Sequence, residues 1–220
     1  MGLWSKVKGV FKKDITETVI KKKYPQAFTL KGPLMKAQGK YQHGFPEGII
    51  VHFTAGHQNQ SPNDAIAHAL QHGYRYFFID EKGHVFQQFD LANWGYHAGE
   101  SICPVTKRAY VSKYYVGIEV ACGGKLTNGK TWFGKAPNKV NKGSINNKWQ
   151  KSSGEFEAYT EAQEKALIDL CAWLCKEGAS PDLIFGHEEV SAGRKDDPGL
   201  SLSMSMDEFR EKIKIKYFTN

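Results

Sequence analysis

Residues 183–199 constrain this chain more than any other stretch. The apolar run Leu183-Ile184-Phe185 reads as a buried strand that ends at Gly186-His187. A glycine-containing loop then runs to Pro198-Gly199 and brings Lys195, Asp196 and Asp197 back toward the strand end. A histidine fixed on a rigid element, with a carboxylate returned beside it, is the arrangement a metal site needs. Two more apolar runs deliver residues with chemistry. Ile49-Ile50-Val51 leads into His52, and Val116-Gly117-Ile118 leads into Glu119. Two histidines and one carboxylate can hold zinc and leave a fourth position open for water, which marks a catalytic rather than a structural site. Spacing alone leaves Asp196 and Asp197 as rivals for the loop ligand.

Helical signals alternate with these strands. Ser61-Pro62-Asn63-Asp64 reads as a helix start, with Ser61 as N-cap and Pro62 in the first turn, and the helix runs to about His72 before Gly73. Tyr74 to Asp80 and His84 to Phe89 read as strands joined by a turn at Glu81-Lys82-Gly83, and Val116 to Cys122 as a buried strand. Thr160-Glu161-Ala162-Gln163 is a capping box that opens a helix to about Glu177, and a last helix spans about Asp207 to Lys216. This order predicts an α/β fold over residues 46–220, with a central, mostly mixed β-sheet flanked by helices. Residues 123–158 are rich in Gly, Asn, Lys and Ser and too long for a simple connection, so they read as a functional or disordered loop. Trp132, Phe133 and Trp149 within it suit either gripping a ligand or anchoring the loop.

The charge is uneven. Residues 1–45 hold ten lysines against Asp14 and Glu17, while residues 46–220 hold 20 basic and 21 acidic residues. The net charge of +7 therefore sits in the N-terminal fifth, and the near-neutral body argues against nucleic acid as a partner. Within that basic extension, residues 3–23 carry Leu3, Val7, Val10, Phe11 and Ile15 at helical spacing, a basic amphipathic helix suited either to docking on the body or to meeting an anionic membrane or outer-membrane surface. Lysines interrupt the N-terminus and no long apolar region follows, so no secretory signal is expected. The four cysteines lack CxxC spacing and read as reduced packing residues. Nothing demands more than a monomer.

Five blocks in order resemble the zinc-dependent N-acetylmuramoyl-L-alanine amidases, the group that includes phage lysins, cytosolic anhydro-muropeptide amidases and peptidoglycan recognition proteins. The blocks are Ile50-Val51-His52-Phe53-Thr54-Ala55-Gly56, Phe77 to Gly83, Trp94-Gly95-Tyr96-His97-Ala98-Gly99, Val116-Gly117-Ile118-Glu119, and Gly186-His187 with Gly193 to Gly199. The resemblance covers residues 47–217. It implies zinc bound by His52, His187 and Asp197, the last because it directly precedes Pro198. Some relatives place cysteine at that ligand position, and this chain has none nearby. The resemblance further implies Glu119 as general base, Lys195 as oxyanion stabiliser, and Trp94 and His97 lining the substrate groove. A tyrosine assisting the proton, as in some relatives, has only Tyr74 or Tyr76 to offer, out of register. The implied activity is hydrolysis of the amide between N-acetylmuramic acid and L-alanine, with peptidoglycan or muropeptides as partners. The basic arm and the long loop favour a phage or prophage lytic enzyme, resident in the host cytoplasm until its release to the wall. The alternatives are a cytosolic recycling amidase and a non-catalytic recognition module.

Overall fold

The computed structural model of the protein describes residues 20–219. The amphipathic helix expected over 3–23 lies almost wholly outside them, and residues 20–23 are not helical. In chain order the elements are β1 (Gly39–Lys40), β2 (Gly48–Phe53), α1 (Pro62–His72), β3 (Tyr76–Ile79), β4 (Val85–Phe86), β5 (Asn93–Trp94), β6 (Tyr115–Val120), β7 (Val140–Asn146), β8 (Lys151–Glu157), α2 (Glu161–Lys176), β9 (Ile184–Gly186), α3 (His187–Val190) and α4 (Met206–Thr219). The central sheet has the order β4-β3-β6-β2-β9. Strands β3, β6, β2 and β9 are parallel, and β4 joins the edge antiparallel to β3. The sheet is therefore mixed, as the alternation of strands and helices predicts.

Both faces of the middle strands are covered, which is why they read as continuous apolar runs rather than alternating ones. On one face Ile49 and Val51 of β2 and Val116, Ile118 and Val120 of β6 join Leu167, Leu170 and Leu174 of α2 and Phe209 and Ile213 of α4 in the main core. On the other face Ile50, Tyr115 and Phe185 form a smaller cluster with Cys103, Val111 and Val190. Residues 24–45, largely without regular structure, are drawn into the main core through Tyr24, Met35 and Phe45. All four cysteines are unpaired and buried.

The helix signals act as expected. The Ser61 hydroxyl accepts from the Asp64 amide, and Gly73 closes α1 in the left-handed region at φ 71°. Thr160 and Gln163 exchange both hydrogen bonds of a capping box. Two expectations change. Residues 123–158 are not a plain loop: β7 and β8 pair in register over seven residues, from Val140↔Glu157 to Asn146↔Lys151. Their polar sequence hides this because most of the hairpin is exposed, and its order comes from a few tertiary anchors. Phe156 is fully buried, and the buried Gln150 donates to Glu188 while accepting from the Met206 amide. His187 is the first residue of α3 rather than the last of β9, with Gly186 as the residue before the helix.

Candidate metal centre and cleft

Parallel pairing puts the key residues in one row. His52 is the direct partner of Glu119 across β2 and β6, and Val51 pairs with Gly186, one residue before His187. Residues facing the same side two positions earlier are Ile50, Gly117 and Phe185, a floor to which the smaller cluster contributes Ile50 and Phe185. The row therefore lies just past the floor, at the carboxyl ends of four parallel strands, where open α/β sheets bind ligands. Asp197 arrives on the loop after α3. The Glu188 amide donates to the Asp197 carbonyl at 2.8 Å, and the Glu188 carboxylate accepts from the Gly199 amide at 3.0 Å, so the loop is clamped on both sides of Pro198. Gly186 leaves the space that Pro198 fills, since a Cβ there would meet its Cδ at 2.6 Å.

These elements bring His52 Nδ1, His187 Nδ1 and Asp197 Oδ2 into a triangle with sides of 2.9, 3.0 and 3.0 Å. All three residues are buried, and among the described residues they are the one group of this kind that could hold a metal ion. Asp196, the rival carboxylate, instead pairs with Lys125 at 3.5 Å on the surface.

The tautomers follow from the outer partners. His187 Nε2 lies 3.0 Å from the Ala98 carbonyl and must donate to it, which leaves Nδ1 with a lone pair. His97 Nε2 lies 2.9 Å from the Tyr115 carbonyl and must donate as well, so His97 Nδ1 accepts. It accepts from His52 Nε2 at 3.0 Å, and the second lone pair therefore falls on His52 Nδ1. Burial holds both rings of the His52–His97 pair neutral. The His52 pKa is pulled down to about 4 by desolvation, with His187 adding and Asp197 opposing. That of His97 falls well below the ordinary value, again through burial first and then His52. Burial opposes ionisation of Asp197, but a proton that His187 or His52 shares with it along one edge outweighs this and keeps its pKa below the usual carboxylate range. Two lone pairs and a carboxylate otherwise face one another with no proton of their own to share. A proton could bridge only one edge of the triangle, whereas a divalent cation with bonds of about 2.0–2.2 Å satisfies all three corners. The residues fit a bound metal ion.

The cleft in front of the triangle is lined by Glu119, His97, Lys195, Arg194, Tyr74 and Trp132, among others. Glu119 Oε2 is buried and has no hydrogen-bond partner. Burial raises its pKa well above the carboxylate range, Asp197 adds to the shift, and Lys195 opposes it. Trp132 is 75 % exposed on the rim and its indole N–H donates to the Ala55 carbonyl, so this member of the 123–158 segment does reach the site. Trp149 does not, and packs against Phe185 as an anchor. Tyr76 also lines the cleft, and its hydroxyl donates to the Ala65 carbonyl. Arg194 pins the 98–100 segment through the Ala98 and Glu100 carbonyls.

Six of the sequence candidates therefore meet at one cleft: His52, His187, Asp197, Glu119, Lys195 and His97. Trp94 is separate and lines an adjoining groove. Sequence reasoning missed the contact of His97 with His52. Its signal was Gly117: the His97 ring lies over this glycine, and a Cβ there would come within 2.7 Å of its Cγ.

The profile of the N-acetylmuramoyl-L-alanine amidases matches residues 42–200. No curated protein sequence matches the chain. Among solved structures, a selenomethionine derivative of AmpD shares 19 % identity at a TM-score of 0.53, over 86 % of this chain and 95 % of that one. The amidase LysC from Clostridium intestinale shares 17 % identity at a TM-score of 0.54, over 87 % and 99 % of the two chains. AmiD from E. coli, in complex with an anhydro-N-acetylmuramic acid tripeptide, shares 20 % identity at a TM-score of 0.53, over 80 % of this chain and 60 % of that one. At these identities the structures establish a shared fold, and the profile match, which spans most of the chain and includes His52, Glu119, His187 and Asp197, establishes more: the chain belongs to the N-acetylmuramoyl-L-alanine amidase family of hydrolases.

Proposed function

We propose that this protein is a zinc-dependent amidase that cuts the amide between N-acetylmuramic acid and the L-alanine of the stem peptide. The observation that carries the reading is the triangle of three unshared acceptor atoms beside an unpartnered Glu119 carboxylate oxygen. His52, His187 and Asp197 would hold the ion, whose mixed imidazole and carboxylate set suits zinc. When bound, zinc supplies Lewis-acid polarisation of the scissile carbonyl and acidifies the attacking water. Glu119, next to His52 in the row, would be returned to its ionised form by the charge of the bound ion and would take the proton from the attacking water through its free Oε2. It then returns the proton to the L-alanine nitrogen as the C–N bond breaks. Lys195 places its ammonium toward the carbonyl oxygen as charge develops there. His97 fixes the His52 tautomer, and Arg194 fixes the 98–100 wall.

We assign the setting as a phage or prophage lytic enzyme that moves from the host cytoplasm to the cell wall. Support comes from the ten lysines of residues 1–45, suited to an anionic envelope surface, beside a body of near-neutral charge. The test is mass spectrometry of products from purified sacculi, using zinc-loaded protein, chelated protein and Glu119→Ala. Free stem peptides that begin at L-alanine, with glycan intact, are expected from the first alone. Binding to sacculi without release of peptide would replace this reading with that of a recognition module.

A further inference from the structure

Beside the cleft lies a groove of about 340 Å³ lined by Trp94, Tyr96, Gly99, Glu100, Tyr110 and Lys113. Its aromatic rings are held in place yet open to solvent. Trp94 lies tight over β1, where a Cβ on Gly39 would come within 2.6 Å of its indole nitrogen. Tyr96 stands edge-on to Trp94, with ring centres 5.7 Å apart and planes at 77°. Tyr110 takes φ 54°, a left-handed conformation that few non-glycine residues adopt, and its amide donates to the Ser101 carbonyl at 2.7 Å. Tyr96 and Tyr110 remain 50 % and 54 % exposed. An unburied cluster of this size in a rigid frame marks a binding surface.

The groove continues the cleft. Tyr96 bridges through its backbone to Tyr74, which lines the cleft, and is followed directly by His97. On the other side Gly99 adjoins the Arg194 guanidinium of the cleft wall. Its charges, Lys113 and Glu100, cancel. A neutral ligand with flat C–H faces and a polar rim fits such walls, because the electron-rich ring face attracts C–H groups. A stem peptide with free carboxylates finds no net positive charge here.

We propose that this groove is a sugar subsite: it takes a pyranose of the glycan strand next to the one that bears the scissile stem peptide. The assignment rests on peptidoglycan as the substrate. The test compares full-length wild type with the double variant Tyr96→Ser/Tyr110→Ser, whose side chains lie outside the metal centre. The probes are glycan strands stripped of stem peptides and, separately, free stem peptide, each titrated by intrinsic tryptophan fluorescence. Hydrolysis of polymeric peptidoglycan and of a single-sugar muropeptide is measured in parallel. Stripped glycan is expected to bind wild type and to lose roughly tenfold in affinity in the variant. The KM for the polymer rises with it, and turnover of the single-sugar substrate stays unchanged. Equal glycan binding by both proteins, or fluorescence binding of stem peptide that the double variant loses, overturns the subsite. If the tyrosines hold stripped glycan but no peptide is ever released, the subsite stands and the hydrolase reading fails. Peptide release with equal polymer KM in both proteins leaves the hydrolase reading standing and overturns the subsite.

Discussion

His97 Nδ1 lies 3.0 Å from His52 Nε2, on the side of the His52 ring opposite Asp197. This contact decides where the His52 lone pair points. Without it, the His52 proton is free to move to Nδ1, which turns a donor toward the other two corners of the triangle. Outer partners of metal-bound histidines are typically worth 10–100-fold in affinity. Replacing His97 by Phe is expected to weaken zinc binding by about that factor in a competitive chelator titration. The thermal midpoint of the metal-free protein should change little, and His97→Gln should restore part of the affinity. Unchanged affinity in the Phe variant would sink the tautomer argument.

Gly117 is the other half of this arrangement. A methyl group at this position meets the His97 ring at 2.7 Å, between the buried Val116 and Ile118. Gly117→Ala should therefore displace His97, cost about 1–3 kcal/mol through overpacking, and lower zinc affinity as His97→Phe does. Chelator titration of both single variants and the pair provides the check. Non-additive losses are expected because the two changes act through one ring, whereas additive losses would place Gly117 outside the His97 contact.

Glu119 sits beside His52 in the sheet register and has an oxygen without a partner. Glu119→Gln keeps the shape and removes the base. Turnover on peptidoglycan should fall about 10²–10⁴-fold while zinc affinity is retained. Activity within a factor of a few of wild type would show that another group carries the proton.

Zinc removal by a chelator should abolish hydrolysis and also lower the thermal midpoint, because an ion that binds only the folded state stabilises it by mass action. The mechanism at the triangle is specific: three acceptors lose the charge between them. Asp197→Ala should erase the difference between the loaded and stripped midpoints. A midpoint that is indifferent to chelation would mean that the triangle holds no ion.

The sequence exposed those parts of the molecule whose physics is local. The Thr160–Gln163 capping box, the Ser61 cap and the apolar runs of β2, β6 and β9 all appear where their patterns place them. The residues that converge on the cleft were legible because each follows such a run or a Pro-terminated loop, and because the blocks resemble a known family. What was hidden depends on distant contacts. The β7–β8 hairpin alternates too weakly to be read, since its order comes from Phe156 and Gln150 reaching other elements. His97 looked like a substrate residue because its pairing with His52 spans 45 positions, and only a glycine two residues before Glu119 hinted at a ring in that space.

Behind the sheet, Asp169 of α2 ties that helix to α4. Its carboxylate accepts from Lys165 at 2.7 Å, one helical turn back, and from Lys216 of α4. Partial burial works against ionisation of Asp169, but the two ammonium groups prevail and lower its pKa below the ordinary value. A carboxylate with a depressed folded-state pKa stabilises the fold above its unfolded pKa of about 3.9. That contribution disappears as pH falls through the folded value. Discounted for solvent screening, Asp169→Asn should cost no more than about 1 kcal/mol at pH 7. The gap in urea midpoint between variant and wild type should be present at pH 7 and close as the solution is acidified below the unfolded pKa. A gap that persists unchanged in acid would mean that the aspartate stabilises α2 by packing rather than by charge.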